Sequence, residues 1–189
     1  MSSYANPDTA YAWLTGDAFR GEPDAEFPVN PFEDPEGGFE GWHAFGGIEV
    51  GFELTAEQTV NKKKAFNYRK ANYKVLRDPL DEGVKFRALD NSAATALTRA
   101  QGGEIVKKGD FYELIKGDGE NFKFWFRLYD GIEKTAFLYD TVTLAAPPVR
   151  AAIDGQSIDG WEFDLTALAP VREILPDAPA GLVIPPTGG

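Results

Sequence analysis

The sequence predicts a mainly β protein: a two-sheet antiparallel sandwich or barrel with one short flanking helix at about residues 92–100 and extended arms at both ends. Three observations predict it. Aromatic residues are frequent (14 Phe, 7 Tyr and 4 Trp) beside 20 Gly and 13 Pro, a balance that favours strands and turns. Several stretches alternate apolar and polar residues with a period of two, and one segment alone carries helix caps around an apolar stripe. A chain of 189 residues suits one core with attached arms.

Residues 1–47 read as an N-terminal arm and long acidic loop. A lead over 1–8 is followed by a first short strand at 9–14, then by a run rich in Gly, Pro and acids. Phe19, Phe27, Phe32, Phe39, Trp42 and Phe45 recur through that run. An unfolded linker would lack such rings, so the loop is expected to dock onto something, with Phe27 and Phe32 as anchors.

Residues 48–169 read as the β domain. Ile48, Val50, Phe52 and Leu54 share one face of a half-buried strand, and Glu49, Gly51 and Glu53 the other. Residues 58–72 form a basic loop or hairpin tip too polar for a core, leading into 73–77; Asp78 and Pro79 turn the chain and alternation resumes at 84–87. Asp90, Asn91 and Ser92 offer N-caps, Ala93, Ala94, Ala96, Leu97 and Ala100 form the apolar stripe, and Gly102 and Gly103 stop the helix. A strand at 111–115 precedes a Gly-Asp-Gly turn. The next, at 122–129, puts Phe122, Phe124, Phe126 and Leu128 on one face and Trp125 on the other. Asp130 and Gly131 signal a tight hairpin into 132–144, which is apolar on both faces, as a strand covered on both sides would be. Trp161, Phe163 and Leu165 alternate with Glu162, Asp164 and Thr166 in a last strand. Residues 170–189 read as a C-terminal arm anchored by Leu182 and Ile184.

The net charge of −11 argues against a sequence-independent grip on nucleic acid, which depends on Lys and Arg displacing counterions from phosphates. The charge is unevenly placed. Residues 16–40 hold eight acids against Arg20 alone, and residues 58–77 hold seven bases, among them Lys62, Lys63, Lys64, Arg69 and Lys70, with no acid. Opposite blocks in one chain suit a subunit that attracts copies of itself.

No catalytic constellation is legible, and no enzyme, cofactor or metal is expected. The chain has no cysteine, so it lacks a thiol nucleophile and a Cys-based zinc site. His43 is the single histidine and has no nucleophile nearby. Ser157 lies in a G-x-S-x-x-G run with the wrong spacing for a nucleophile elbow, and Phe122 stands where a dinucleotide fingerprint needs its third glycine. The N-terminus shows no basic-plus-apolar signal and no stretch long enough to span a bilayer, so a soluble protein without its own export signal is expected. Trp42, Trp125 and Trp161 leave open a glycan-binding sandwich with exposed stacking platforms.

The order of features is similar to that of the major tail proteins of siphophages, particularly those infecting actinobacteria. The residues that carry the resemblance are the run from Phe45 to Leu54 with its following basic loop, the strands around Val75 and Val84, the helix from Ser92 to Ala100, and the paired aromatic strands from Phe111 to Tyr139. The resemblance implies a tail-tube domain at 48–169, six copies per ring, and rings stacked into a hollow tube within the virion tail, assembled in the host cytoplasm. The implied partners are further copies of the chain, a tape-measure protein, a tail terminator and a distal tail protein. DNA crosses the lumen without specific binding, repelled by acids. On the alternation above, Glu49, Glu53, Glu162 and Asp164 are the lumen candidates, and the basic loop is the inter-subunit contact. A capsid decoration or tail terminator subunit shares these traits and remains open.

Both arms are expected to order only on assembly. Deleting residues 176–189 is expected to impair stacking while leaving the β domain folded, read by electron microscopy and circular dichroism. Unchanged assembly by the truncated chain would remove the C-terminal arm from the contact.

Overall fold

A computed structural model describes residues 12–64, 74–151, 153–154 and 156–177. The chain is mainly β and antiparallel, with one helix among the described residues. Its main sheet runs in the order β2 (Trp42–Ala44), β1 (Thr15–Gly21), β9 (Phe122–Tyr129), β10 (Lys134–Leu144), β12 (Trp161–Ala167), β6 (Asp81–Ala88) and β3 (Ile48–Glu57). Short β11 (Val149–Arg150) pairs with β12, and β13 (Arg172–Ile174) with β10. The sheet curls until its two halves face each other. Phe52 of β3 stacks on Phe126 of β9 with centroids 4.3 Å apart. Gly16 of β1 lies so close to the Arg127 carbonyl and the Phe52 ring that a Cβ there would clash.

The concave side holds the main core. Val84, Phe86, Phe124, Phe126, Tyr139, Phe163 and Leu165 fill it from the strands, with Phe45 and Ala94 closing it from outside the sheet. Each buried ring contributes about 1.5–3 kcal/mol of burial, and the edge-to-face and stacked contacts among Phe45, Phe86 and Phe124 add to it. Tyr139 is sealed inside, and burial pushes its hydroxyl well above its ordinary pKa, with Glu82 adding to the shift.

β10 joins the two halves. It pairs with β9 along most of its length, shifts register between Tyr139 and Val142, and passes its other edge from β13 to β12. Tyr139 and Val142 point into the main core, and Ala136 and Leu138 into a second cluster on the convex face. That cluster explains the strand's two apolar faces. The helix α1 (Ala93–Ala100) closes one end, capped by Ser92, whose hydroxyl accepts from the Thr95 amide at 3.2 Å, and terminated by Gln101 at φ 53°.

Several elements differ from the sequence reading. The first strand is Thr15–Gly21, not 9–14; residues 12–14 are not strand, and 9–11 lie outside the described residues. β1, β2 and β13 bring parts of both expected arms into the main sheet. Backbone pairing decides here, because Gly16 and Gly21 supply the close approaches that side-chain alternation cannot signal. β7 (Glu104–Lys108) pairs with β8 (Phe111–Ile115) in a separate ribbon turned at Gly109, φ 65°. Trp125, on the polar side of its strand by alternation, is fully buried, and Trp42 nearly so, which removes both as platforms for a sugar.

Tyr139 gives a pH dependence with a definite sign. A hydroxyl whose folded pKa is raised contributes stability that is complete below its unfolded value near 10 and is lost as pH rises through the folded value. Tyr139→Phe is expected to leave the urea midpoint at about pH 7 little changed, and to lessen its fall by about pH 11. An alkaline fall identical to the parent's would show that Tyr139 does not drive it.

Candidate functional site

Three surfaces carry the unbalanced charge. The first is the outward face of β3, β6 and β12. Strand register aligns Glu49, Arg87 and Glu162 in one row and Glu53, Lys85 and Asp164 in the next. The four sequence-predicted acids therefore share one face, two on each side of Lys85 and Arg87 of β6. Arg87 pairs with Glu49 and donates to the Ile158 carbonyl at 2.6 Å, and Lys85 lies 3.2 Å from Asp164. Glu57 faces Asp81 farther along with no cation between them. The face keeps a net negative charge, and its two bases are held by its own acids. A groove of about 670 Å³ crosses it beside a bulge in β3, where Val50 takes φ 66° and Gly51 φ 90°.

The second surface is basic. β3 and β6 continue past Gln58 and Asp78 into a two-stranded ribbon, β4 (Val60–Lys63) and β5 (Lys74–Arg77), with Lys62 opposite Val75 and Lys63 opposite Lys74. Every residue of the ribbon is exposed, and Lys64 follows it into solvent. Among the described residues, Lys62, Lys63, Lys64, Lys74 and Arg77 make no ion pair. Arg69 and Lys70 lie outside the described residues.

The third surface is the acidic loop between β1 and β2. Phe27, Phe32 and Phe39 pack over Phe19, Trp125 and Leu138, so the loop covers the convex side of the sheet of its own chain. Arg127 fastens it. Its Nε donates to Asp17 at 2.9 Å, its Nη1 to the Pro31 carbonyl at 3.1 Å and its Nη2 to Asp34 at 2.5 Å. Rings of Phe19, Phe39, Trp125 and Tyr129 surround the guanidinium. Burial works to lower its pKa, and the bonds to Asp34 and Asp17 outweigh that, leaving it raised. Arg20, also buried, pairs with Glu120 and reaches Thr98 at 3.2 Å, tying β1 to the helix; burial lowers its pKa. In the sequence Arg20 stood out only as the one base among the acids of 16–40, and Arg127 not at all; for Arg127 there was a signal to read. The available signal was a cation inside an aromatic strand, on the same face as Trp125.

Asp17 and Asp34 are thus engaged within the chain, and Glu22 lies 3.5 Å from His43. The remaining acids of the loop make no ion pair among the described residues. Leu182 and Ile184 lie outside the described residues. Among those described, no group of three or more His, Cys, Asp or Glu is disposed to hold a metal ion, and no helix is long and apolar enough to cross a membrane.

Neither a family model nor a curated protein matches the chain. A solved structure described as the virion of a native gene transfer agent particle overlaps 70% of this chain and 88% of its own, with a TM-score of 0.43 and 9% identity. At that overlap the functional reading rests on this chain's own surfaces.

Arg127→Met is expected to free the loop and leave Asp17 and Asp34 without their cation. Breaking a buried pair costs about 3–5 kcal/mol; with both carboxylates partly open to solvent, about 2 kcal/mol is expected here. Limited proteolysis should cut the loop between β1 and β2 faster in the variant while the β signal in circular dichroism persists. Equal protection in both proteins would show that the rings alone hold the loop.

Proposed function

We propose that the chain is a structural virion protein, the subunit of a phage tail tube, assembling into hexameric rings that stack into a conduit for DNA, and that it is not an enzyme. The observation that carries this reading is the pair of opposite surfaces that one subunit leaves unmatched: among the described residues, an exposed basic ribbon makes no ion pair, and neither do the loop acids Asp24, Glu26, Glu33, Glu36 and Glu40. Exposed pairs contribute only about 0–1 kcal/mol each, but an array repeated around a ring and between rings adds up. Copies of the chain are the natural partner, and a tape-measure protein, a tail terminator and a distal tail protein complete the proposed set.

The ladder on β3, β6 and β12 supports a lumen role for Glu49, Glu53, Glu162 and Asp164. DNA sticks to a surface whose cations are free to replace counterions. Here Arg87 and Lys85 are held by Glu49 and Asp164, so the face presents excess negative charge and little to grip a phosphate.

Electron microscopy of the purified protein at high concentration is expected to show rings or tubes, and light scattering a species far above the monomer mass. The triple reversal Lys62→Glu, Lys63→Glu and Lys64→Glu is expected to abolish assembly at low salt, and the parent should assemble less as ionic strength rises. A strictly monomeric parent would overturn the reading, and isolated trimers would point to a capsid decoration instead.

A further inference from the structure

We infer that the aromatic recess beside the end of β1 receives the lysine-bearing ribbon of a second copy of this chain. The inference deepens the assembly reading and rests on it. The recess measures about 510 Å³. Phe27 and Phe39, both half-buried, present their rings to it, and the nearly buried Trp42 backs them, 5.2 Å from Phe27. Asp24, Glu26 and Glu40 stand on its rim. The Trp42 indole donates to the Glu26 carbonyl at 2.8 Å, so Glu26 joins the wall by its backbone while its side chain stays exposed. Nearby cations are engaged: Lys123 donates to the Ala25 carbonyl at 2.7 Å, and Arg172, over the Phe27 ring, pairs with Asp140. The rim carboxylates make no ion pair among the described residues.

Aromatic faces bordered by carboxylates bind ammonium and guanidinium groups, by the ring quadrupole below and by charge at the rim. The ribbon offers that chemistry. Lys62, Val75 and Arg77 alternate with Lys63, Lys74 and Leu76 on the two paired strands, so each face of the exposed ribbon presents two cations beside an apolar side chain that can meet the rings.

Strand direction excludes the chain's own ribbon. β1, β10 and β6 run one way along the curled sheet, and β9, β12 and β3 the other. The recess lies where β1 ends, at Gly21 opposite Trp42. The ribbon leaves where β3 ends and β6 begins, at Glu57 opposite Asp81, on the other end of the sheet. A second copy must therefore supply it. The contact joins two different surfaces, so it leaves a free ribbon and a free recess on every pair and propagates.

The chain has no native cysteine, so single introduced thiols report the contact directly. Chains carrying Glu40→Cys and chains carrying Lys63→Cys are mixed under oxidised glutathione and run on a non-reducing gel, with Glu162→Cys plus Lys63→Cys as the control. A disulfide needs Cα atoms within about 7 Å. At least ten-fold faster heterodimer formation than in the control is expected, falling at high salt. Equal rates in the two mixtures overturn the docking even if tubes form. Selective crosslinking without rings or tubes in the microscope retains the docking and overturns the tube. A charge exchange gives the second readout: Glu26→Lys with Glu40→Lys should block assembly, and adding Lys62→Glu with Lys63→Glu in the same chain should restore it. Failure of the fourfold variant to recover, with both double variants blocked, would place the ribbon against another surface.

Discussion

A sheet that is apolar on both faces must be covered twice, and the convex side of β1, β9 and β10 is covered by a loop with little apolar surface to spare. Arg127 makes that possible. It sits among four rings, where an isolated cation would be expensive, and draws Asp17, Asp34 and the Pro31 carbonyl to itself. Two of the loop region's eight acids thereby become internal partners, and the backbone between them is drawn onto the rings of Phe19 and Trp125. The other acids are left exposed on the surface. The surface charge of this face follows from the way its interior is fastened.

Much of the fold was legible because one face of most strands is buried. The alternation of β12 correctly sorted core from surface, and Ser92 with Gly102 bounded the helix. In β3 only Ile48 and Phe52 of the expected face pack on the core, while Val50 and Leu54 are exposed beyond or beside the bulge, and in β9 both faces are buried. What failed was local. β1 reads TGDAFRG and looks like a loop, yet it pairs with β9 over its whole length because glycine tolerates the neighbouring carbonyl and rings. β7 and β8 bury neither face, so no periodicity marked β7. Trp125 was assigned to the open side correctly by parity, but its cover comes from residues more than eighty positions away.

The charged surfaces show the same division. Parity put Glu49, Glu53, Glu162 and Asp164 on polar faces, and strand order brought β3 and β12 to either side of β6. Nothing in the residue pattern hinted at that order, so the placement of Lys85 and Arg87 between the acids was invisible until the register was known. The basic run was visible from composition, because a block without a single acid needs no structure to be noticed. Its pairing into a ribbon was not, since no residue of β4 or β5 is buried.

β3 is the last strand of the sheet, and its outer edge has no strand partner among the described residues. Ten residues of unpaired backbone on a chain built to meet its own copies are an invitation to zip edge to edge into disordered aggregate. The bulge at Val50 and Gly51 breaks the straight run of donors and acceptors, and left-handed backbone at a valine is tolerated there against a cost of about 1–2 kcal/mol. Glu49, Glu53 and Glu57 add mutual repulsion to any like strand laid alongside. The irregularity works as a guard against polymorphism: it closes the cheapest route to the wrong polymer and leaves side-chain contacts to decide the right one.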